Sequence, residues 1–217
     1  MAPKMLKYGE FDVWRIRGNP DLSLLSRDEL ERFHAMRGEN ARHIFSLSRS
    51  AIRKIVDFYK VQEISEKCIH VHSSGKPFFV NNPDLHFSLS HTEEELAIAF
   101  SCTPVGFDLE KKGRCSREWV SLARRFFSTE EASQVEASGG DVERCFLEFW
   151  TGKEAILKLD GRGISGGLER ARVWSDSEGS LGERRVYLHR MDWPAHIAHI
   201  ASFEKISSVR LRELILE

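Results

Sequence analysis

Cysteine is scarce in this chain: four in 217 residues, at positions 68, 102, 115 and 145. None of them forms a CxxC pair, which excludes a zinc ribbon and a thioredoxin-like motif, and a chain of this length does not depend on a disulfide framework. The compartment expected from this is the reducing cytoplasm. Charge of one sign is missing too. Lys and Arg number 32 against 33 Asp and Glu, a formal net charge of -1, so no basic excess is available to hold nucleic acid by its phosphates. No apolar run approaches the ~18 residues of a membrane span. The opening MAPKMLKYGEFDVWRI has no apolar stretch ending in a small-residue cleavage site, so no signal peptide is expected. Long linkers, low-complexity tracts and short repeats are absent as well. What remains is a globular composition, 41% hydrophobic and 30% charged, sufficient for a sizeable core.

Alternation of polar and apolar residues predicts a strand over 10–16. Ser26 as cap and Glu29 at the capping-box position predict a helix start, with a long helical region running to about Tyr59. Arg42, Arg49 and Arg53 recur within it at spacings of seven and four, which puts them on one face. Further strands are expected at 67–72, 86–90, 96–101, 105–109, 171–174, 185–190 and 195–203, with an alternating tail at 209–216. Helical patterns cover roughly 116–127 and 141–159, and 161–167 is glycine-rich. Each half thus contributes helices and strands, and the natural boundary lies near Pro104. The expected class is α+β, with an N-terminal half over 1–104 and a C-terminal half over 105–217.

Two motifs are declined. Gly161-Arg162-Gly163-Ile164-Ser165-Gly166 satisfies GxGxxG, and Gly163-Ile164-Ser165-Gly166-Gly167 satisfies GxSxG. Both motifs work where a strand ends and a helix begins, whereas here a helix precedes the glycines and a strand follows. His70 and His72 share a strand face but lack a third ligand at zinc spacing, so they read as solvated strand residues.

Three stretches carry chemistry. Gly106-Phe107-Asp108-Leu109-Glu110 places two carboxylates on one face of a strand. Such a pair repels itself unless a cation sits between, and a hard divalent ion with oxygen ligands, magnesium in particular, resolves that conflict. The plainer alternative is two solvated charges at a strand end. In Trp150-Thr151-Gly152-Lys153-Glu154-Ala155-Ile156-Leu157-Lys158, Glu154 and Lys158 stack one turn apart, as an ordinary surface pair would. Lys153, however, falls inside the apolar stripe, where an unpaired ammonium is costly, so the helix reads as the wall of an active site. Ser74-Gly75-Lys76-Pro77 and Phe87-Ser88-Leu89-Ser90-His91-Thr92 can offer backbone N–H groups and a cation to phosphate oxygens, although the first is also an ordinary turn.

Taken in order, GKP at 75–77, FSLSHT at 87–92, GFDLE at 106–110, RRFFSTEE at 124–131 and WTGKEAILKLDGRG at 150–163 resemble the 4′-phosphopantetheinyl transferases of the Sfp type. The matching stretches span the middle two-fifths of the chain. The resemblance implies a pseudo-dimer of two similar α+β halves with coenzyme A in the cleft between them. It assigns Lys76, Ser90 and His91 to the coenzyme's phosphates and Asp108, Glu110 and Glu154 to magnesium, with manganese as the other candidate ion. Lys158 matches the family's lysine four residues after the glutamate. Ser88 stands where the family commonly has Asn, and Ala41 where an aspartate is expected. Arg49 and Arg53 fit the family's basic N-terminal helix, and contacts to the 3′-phosphate are sought among Arg37, Arg42 and Arg49.

The implied reaction transfers 4′-phosphopantetheine from coenzyme A to a serine of an apo acyl or peptidyl carrier protein, leaving adenosine 3′,5′-bisphosphate. The implied setting is fatty-acid, polyketide or nonribosomal peptide biosynthesis, by a cytoplasmic monomer. Glu154 is the candidate base, Asp108 a catalytic metal ligand, and Lys158 with Lys153 the stabilisers of phosphate charge. Carriers of this type are acidic, so the helix bearing Arg117, Trp119, Arg124, Arg125, Phe126 and Phe127 is the candidate docking surface, although its aromatics also suit a core. Two alternatives stand: a magnesium-dependent nucleotide phosphohydrolase, and a non-catalytic module that binds coenzyme A or a carrier.

Overall fold

A computed structural model describes residues 6–59, 69–72, 75–80, 84–113, 118–161 and 167–217. The expected residues Cys68, Cys115, Arg117 and 162–166 lie outside these. The chain forms two compact units, one of Met1–Val71, Pro77–Thr103 and Ser207–Glu217, the other of His72–Lys76 and Pro104–Ile206. Both mix helix and sheet, so the class is α+β. No helix among the described residues is long and apolar enough to cross a membrane.

In the first unit, β1 (Glu10–Gly18) leads to α1 (Arg27–Ala35) and α2 (Glu39–Phe58). The expected single helical region is therefore two helices. Gly38, the N-cap of α2, and Met36 are both extended, and that breaks the ladder. A hairpin of β2 (Ile69–Val71) and β3 (Pro77–Phe79) follows, then β4 (His86–His91) and β5 (Leu96–Ser101). The four-stranded sheet has the order β11-β1-β5-β4, where β11 is the tail strand Ser208–Leu216. The tail runs parallel to β1 in unbroken register from Glu10↔Ser208 to Gly18↔Leu216. A buried carboxylate fastens it. Asp12, fully enclosed, accepts from Arg210 Nε and Arg212 Nε, both at 2.6 Å, and from Tyr59 Oη at 2.7 Å.

The second unit repeats the plan. β6 (Val105–Lys111) is followed by α3 (Trp119–Phe126), α4 (Thr129–Ala137) and α5 (Val142–Asp160). Strands β7 (Ala171–Ser175), β8 (Glu178–Leu181), β9 (Arg184–Trp193) and β10 (His196–Ser202) complete it. The sheet order is β6-β10-β9-β8-β7. As β5 returns antiparallel to β1, so β10 returns antiparallel to β6. In each unit the α-helix immediately before the long one starts with a capping box, Ser26 with Glu29 in α1 and Ser128 with Glu131 in α4.

Strand β6 lies directly against α5, and Gly106 makes that approach possible. A Cβ there would fall deep inside the Ala155 carbonyl oxygen and the Leu159 amide nitrogen. Both are backbone atoms of a helix and cannot swing aside. Gly106→Ala should cost at least the ~1–3 kcal/mol of ordinary overpacking, lowering Tm by roughly 2–4 °C per kcal/mol in a chain of this size. An unchanged melting curve would mean that α5 has room to move away.

Candidate active site

The second unit gathers one acidic cluster. Asp108 is buried in β6 opposite His199 of β10, and Glu110, half-buried, follows two residues later on the same face. From α5, Lys158 reaches across to Asp108, Nζ to Oδ1, at 2.6 Å. Glu154, one turn earlier, is only 7% exposed, and its Oε1 is buried with no hydrogen-bond partner. Burial pushes the Glu154 carboxyl up to about 7, with Asp108 and then Glu110 adding to the shift and Lys158 opposing it. Three carboxylates thus repel one another here, with Lys158 supplying the compensating charge.

The donor set suits a hard divalent ion, since every candidate ligand is a carboxylate oxygen and one of those oxygens, Glu154 Oε1, is buried and unpartnered. Among the described residues no three His, Cys, Asp or Glu side chains are gathered as a metal-holding group.

Lys76, expected at the coenzyme's phosphates, has backbone partners inside the second unit. Its ammonium donates to the carbonyl oxygens of Val105 (3.1 Å), Lys158 and Leu159 (3.5 Å), at the start of β6 and the end of α5. Burial lowers its pKa to about 8, Asp160 opposing. Three acceptors account for all three ammonium protons.

Lys153, expected to stabilise phosphate charge, is buried in the second unit. It is 1% exposed, pairs with Glu131 Oε2 at 2.8 Å, and donates to the carbonyls of Ala171 and Leu168. Glu131 is the residue that reading by periodicity missed. Its Oε2 accepts from Ser128 N at 2.9 Å in the capping box, and its Oε1 accepts from Val173 N at 3.0 Å. The signal was legible in Ser128-Thr129-Glu130-Glu131: a buried lysine needs a carboxylate, and a capping-box glutamate offers one.

The first unit contains an analogous tie. Arg49 Nε lies 3.1 Å from Glu29 Oε1 and Arg53 Nη2 lies 2.8 Å from Glu29 Oε2, fastening α2 to α1. Arg49 Nη1 is buried without a hydrogen-bond partner, and burial, with Arg32 and Arg53, lowers the Arg49 pKa to about 10 against the pull of Glu29. Ser90 and His91 end the edge strand β4, the serine buried and the histidine exposed.

The glycine-rich stretch begins as a helix C-cap. Gly161 has φ 81° and its amide donates to the Leu157 carbonyl at 3.1 Å, so a helix does precede the glycines. On α3, Arg124 pairs with Glu136 and the Arg125 guanidinium lies over Phe126. Trp119 packs on Phe146 at 4.9 Å, as does Phe127. An apolar cavity of about 190 Å³ opens beside Glu110, lined by Trp119, Leu122, Phe126, Phe146, Leu147 and Trp150. The larger concavity, about 440 Å³, includes Lys112, Arg144 and Arg190 and contains none of the three acids.

Residues 104–206 match the family model of the 4′-phosphopantetheinyl transferase superfamily. The chain is 28% identical over 161 residues to the 4′-phosphopantetheinyl transferase Sfp of Bacillus subtilis, covering 74% of this chain and 70% of that protein. It is 31% identical over 165 residues to the 4′-phosphopantetheinyl transferase psf-1 of Bacillus pumilus, covering 75% and 68%. To the 4′-phosphopantetheinyl transferase HetI of Nostoc sp. it is 32% identical over 168 residues, covering 72% and 70%.

Proposed function

The chain belongs to the 4′-phosphopantetheinyl transferase superfamily, and we propose that it transfers 4′-phosphopantetheine from coenzyme A to a serine of an acyl or peptidyl carrier protein. The observation that carries this reading is Glu154: a buried carboxyl with an unpartnered oxygen, beside two further acids and one helix turn before Lys158.

Asp108, Glu110 and Glu154 would hold magnesium, which when bound supplies charge neutralisation at the pyrophosphate. Glu154 takes the proton of the carrier serine as its oxygen attacks the β-phosphorus of coenzyme A. The bond from that phosphorus to the bridging oxygen breaks, and adenosine 3′,5′-bisphosphate leaves with the electron pair. Lys158, freed from Asp108, offers its ammonium to the charge gathering on the leaving phosphate. Ser90, His91, Arg49 and Arg53 are the proposed contacts to the coenzyme's other phosphates, and the spare Nη1 donor of Arg49 supports that role.

Intact-protein mass spectrometry of an apo-carrier mixed with coenzyme A, magnesium and this chain tests the proposal. The expected result is a gain of one phosphopantetheine, about 340 Da, that EDTA abolishes. Cleavage of coenzyme A at the same rate with no carrier present would favour a phosphohydrolase. No gain on acyl or peptidyl carriers would overturn the proposal.

A further inference from the structure

We propose that Lys76 is a positioning residue: its ammonium clamps the C-terminal end of α5 to the first residue of β6, fixing Glu154 and Lys158 relative to Asp108. This goes beyond the proposed function and rests on it only for its kinetic readout. The last four carbonyls of any helix lack intrahelical partners. In α5 the Leu157 carbonyl is taken by the Gly161 amide, and the next two, Lys158 and Leu159, are taken by Lys76. A cation at that end also complements the helix dipole.

The third acceptor makes this more than a cap. Val105 opens β6, three residues before Asp108, and its carbonyl accepts from the same ammonium at 3.1 Å. One charged group therefore holds both elements that carry the acids. It does so at the end of α5 where Lys158, the partner of Asp108, lies. At Gly106, the neighbour of Val105, β6 lies against α5 with no room for a Cβ, so a loosened helix end would change the spacing between the carboxylates directly. Gly161, left-handed at φ 81°, turns the chain out of the helix with the Lys76 stem packed against it.

The clamp and a phosphate contact predict opposite kinetics. With Lys76→Met, a clamp predicts kcat lowered about ten- to hundredfold, as for small misplacements of catalytic groups, and KM for coenzyme A unchanged. A phosphate ligand predicts a raised KM that Lys76→Arg restores, because guanidinium binds phosphate well but does not fit three buried carbonyls. Hydrogen exchange read by mass spectrometry needs no turnover, so it tests the clamp even if wild-type transfer fails. Peptides covering the last turn of α5 should exchange at least about tenfold faster in Lys76→Met. Should that variant not fold, Lys76→Gln, which keeps two N–H donors, is measured in its place. Unchanged exchange at 158–161, or a raised KM restored by arginine, would overturn the clamp.

Discussion

Glu154→Gln should lose transfer activity by roughly the 10²–10⁴-fold attributed to a positioned general base, yet fold at least as well as the wild type above neutral pH. The two effects share one cause. Glu154 is buried beside Asp108 and Glu110, which with burial raise its pKa to about 7, so ionising it works against the fold. In the unfolded chain a glutamate titrates near 4.5. Between these values the folded state keeps a proton that the unfolded state has released. The stabilisation from this group is therefore complete below about 4.5 and is lost as pH rises through about 7. Glutamine cannot ionise, so the variant should lack that decline. Melting curves across this range, run beside initial rates, measure both effects. Near-wild-type turnover in Glu154→Gln would remove Glu154 from the chemistry. Magnesium added to the wild type should recover stability most where Glu154 is ionised, because a bound cation relieves the repulsion.

The second large effect is structural. Lys153→Met should destabilise the protein by about 3–5 kcal/mol, the usual cost of stranding one partner of a buried ion pair. In a chain of this size that is roughly 6–20 °C of Tm. The stranded group is Glu131, whose other contacts, to Ser128 N and Val173 N, pin the start of α4 and strand β7. Adding Glu131→Gln should recover part of the loss, since no uncompensated charge then remains. Recovery stays incomplete because one amide oxygen cannot replace two carboxylate oxygens. Chemical denaturation of the two variants measures this coupling. A Lys153→Met protein of normal stability but raised KM for coenzyme A would return Lys153 to the substrate.

The sequence by itself determined the local features. Alternation located β1, short apolar stretches marked β5, β6 and β10, and Ser26 with Glu29 marked the start of α1, because strand pattern and capping depend on neighbours in the chain. The acids of the site were legible for the same reason: Asp108 and Glu110 share a strand face, and Glu154 and Lys158 a helix turn. The break between α1 and α2 was harder to read, since Gly38 interrupts a pattern that still looks helical on both sides. Strand β8, short and without a clear period, was not legible.

Only the tertiary structure decided where the cations went. Lys76, Lys153, Arg49 and Arg53 all read as candidate phosphate ligands, because a lysine or arginine looks alike in sequence whether it faces a ligand, a carboxylate or a carbonyl. The fold gives Lys76 partners at the ends of β6 and α5, Lys153 a partner in Glu131, and the two arginines a partner in Glu29, with Arg49 Nη1 left over. These partners stand 15 to 83 residues away for the lysines' carbonyl contacts. No periodicity reaches that far. The tail behaves alike: its alternation announced a strand, but its pairing with β1, where Asp12 holds Arg210 and Arg212 from nearly the whole chain away, was not in that pattern. Local pattern fixes the secondary structure and puts acids on shared faces, while the choice between structural tie and ligand contact for each cation depends on which buried oxygen folding brings to it.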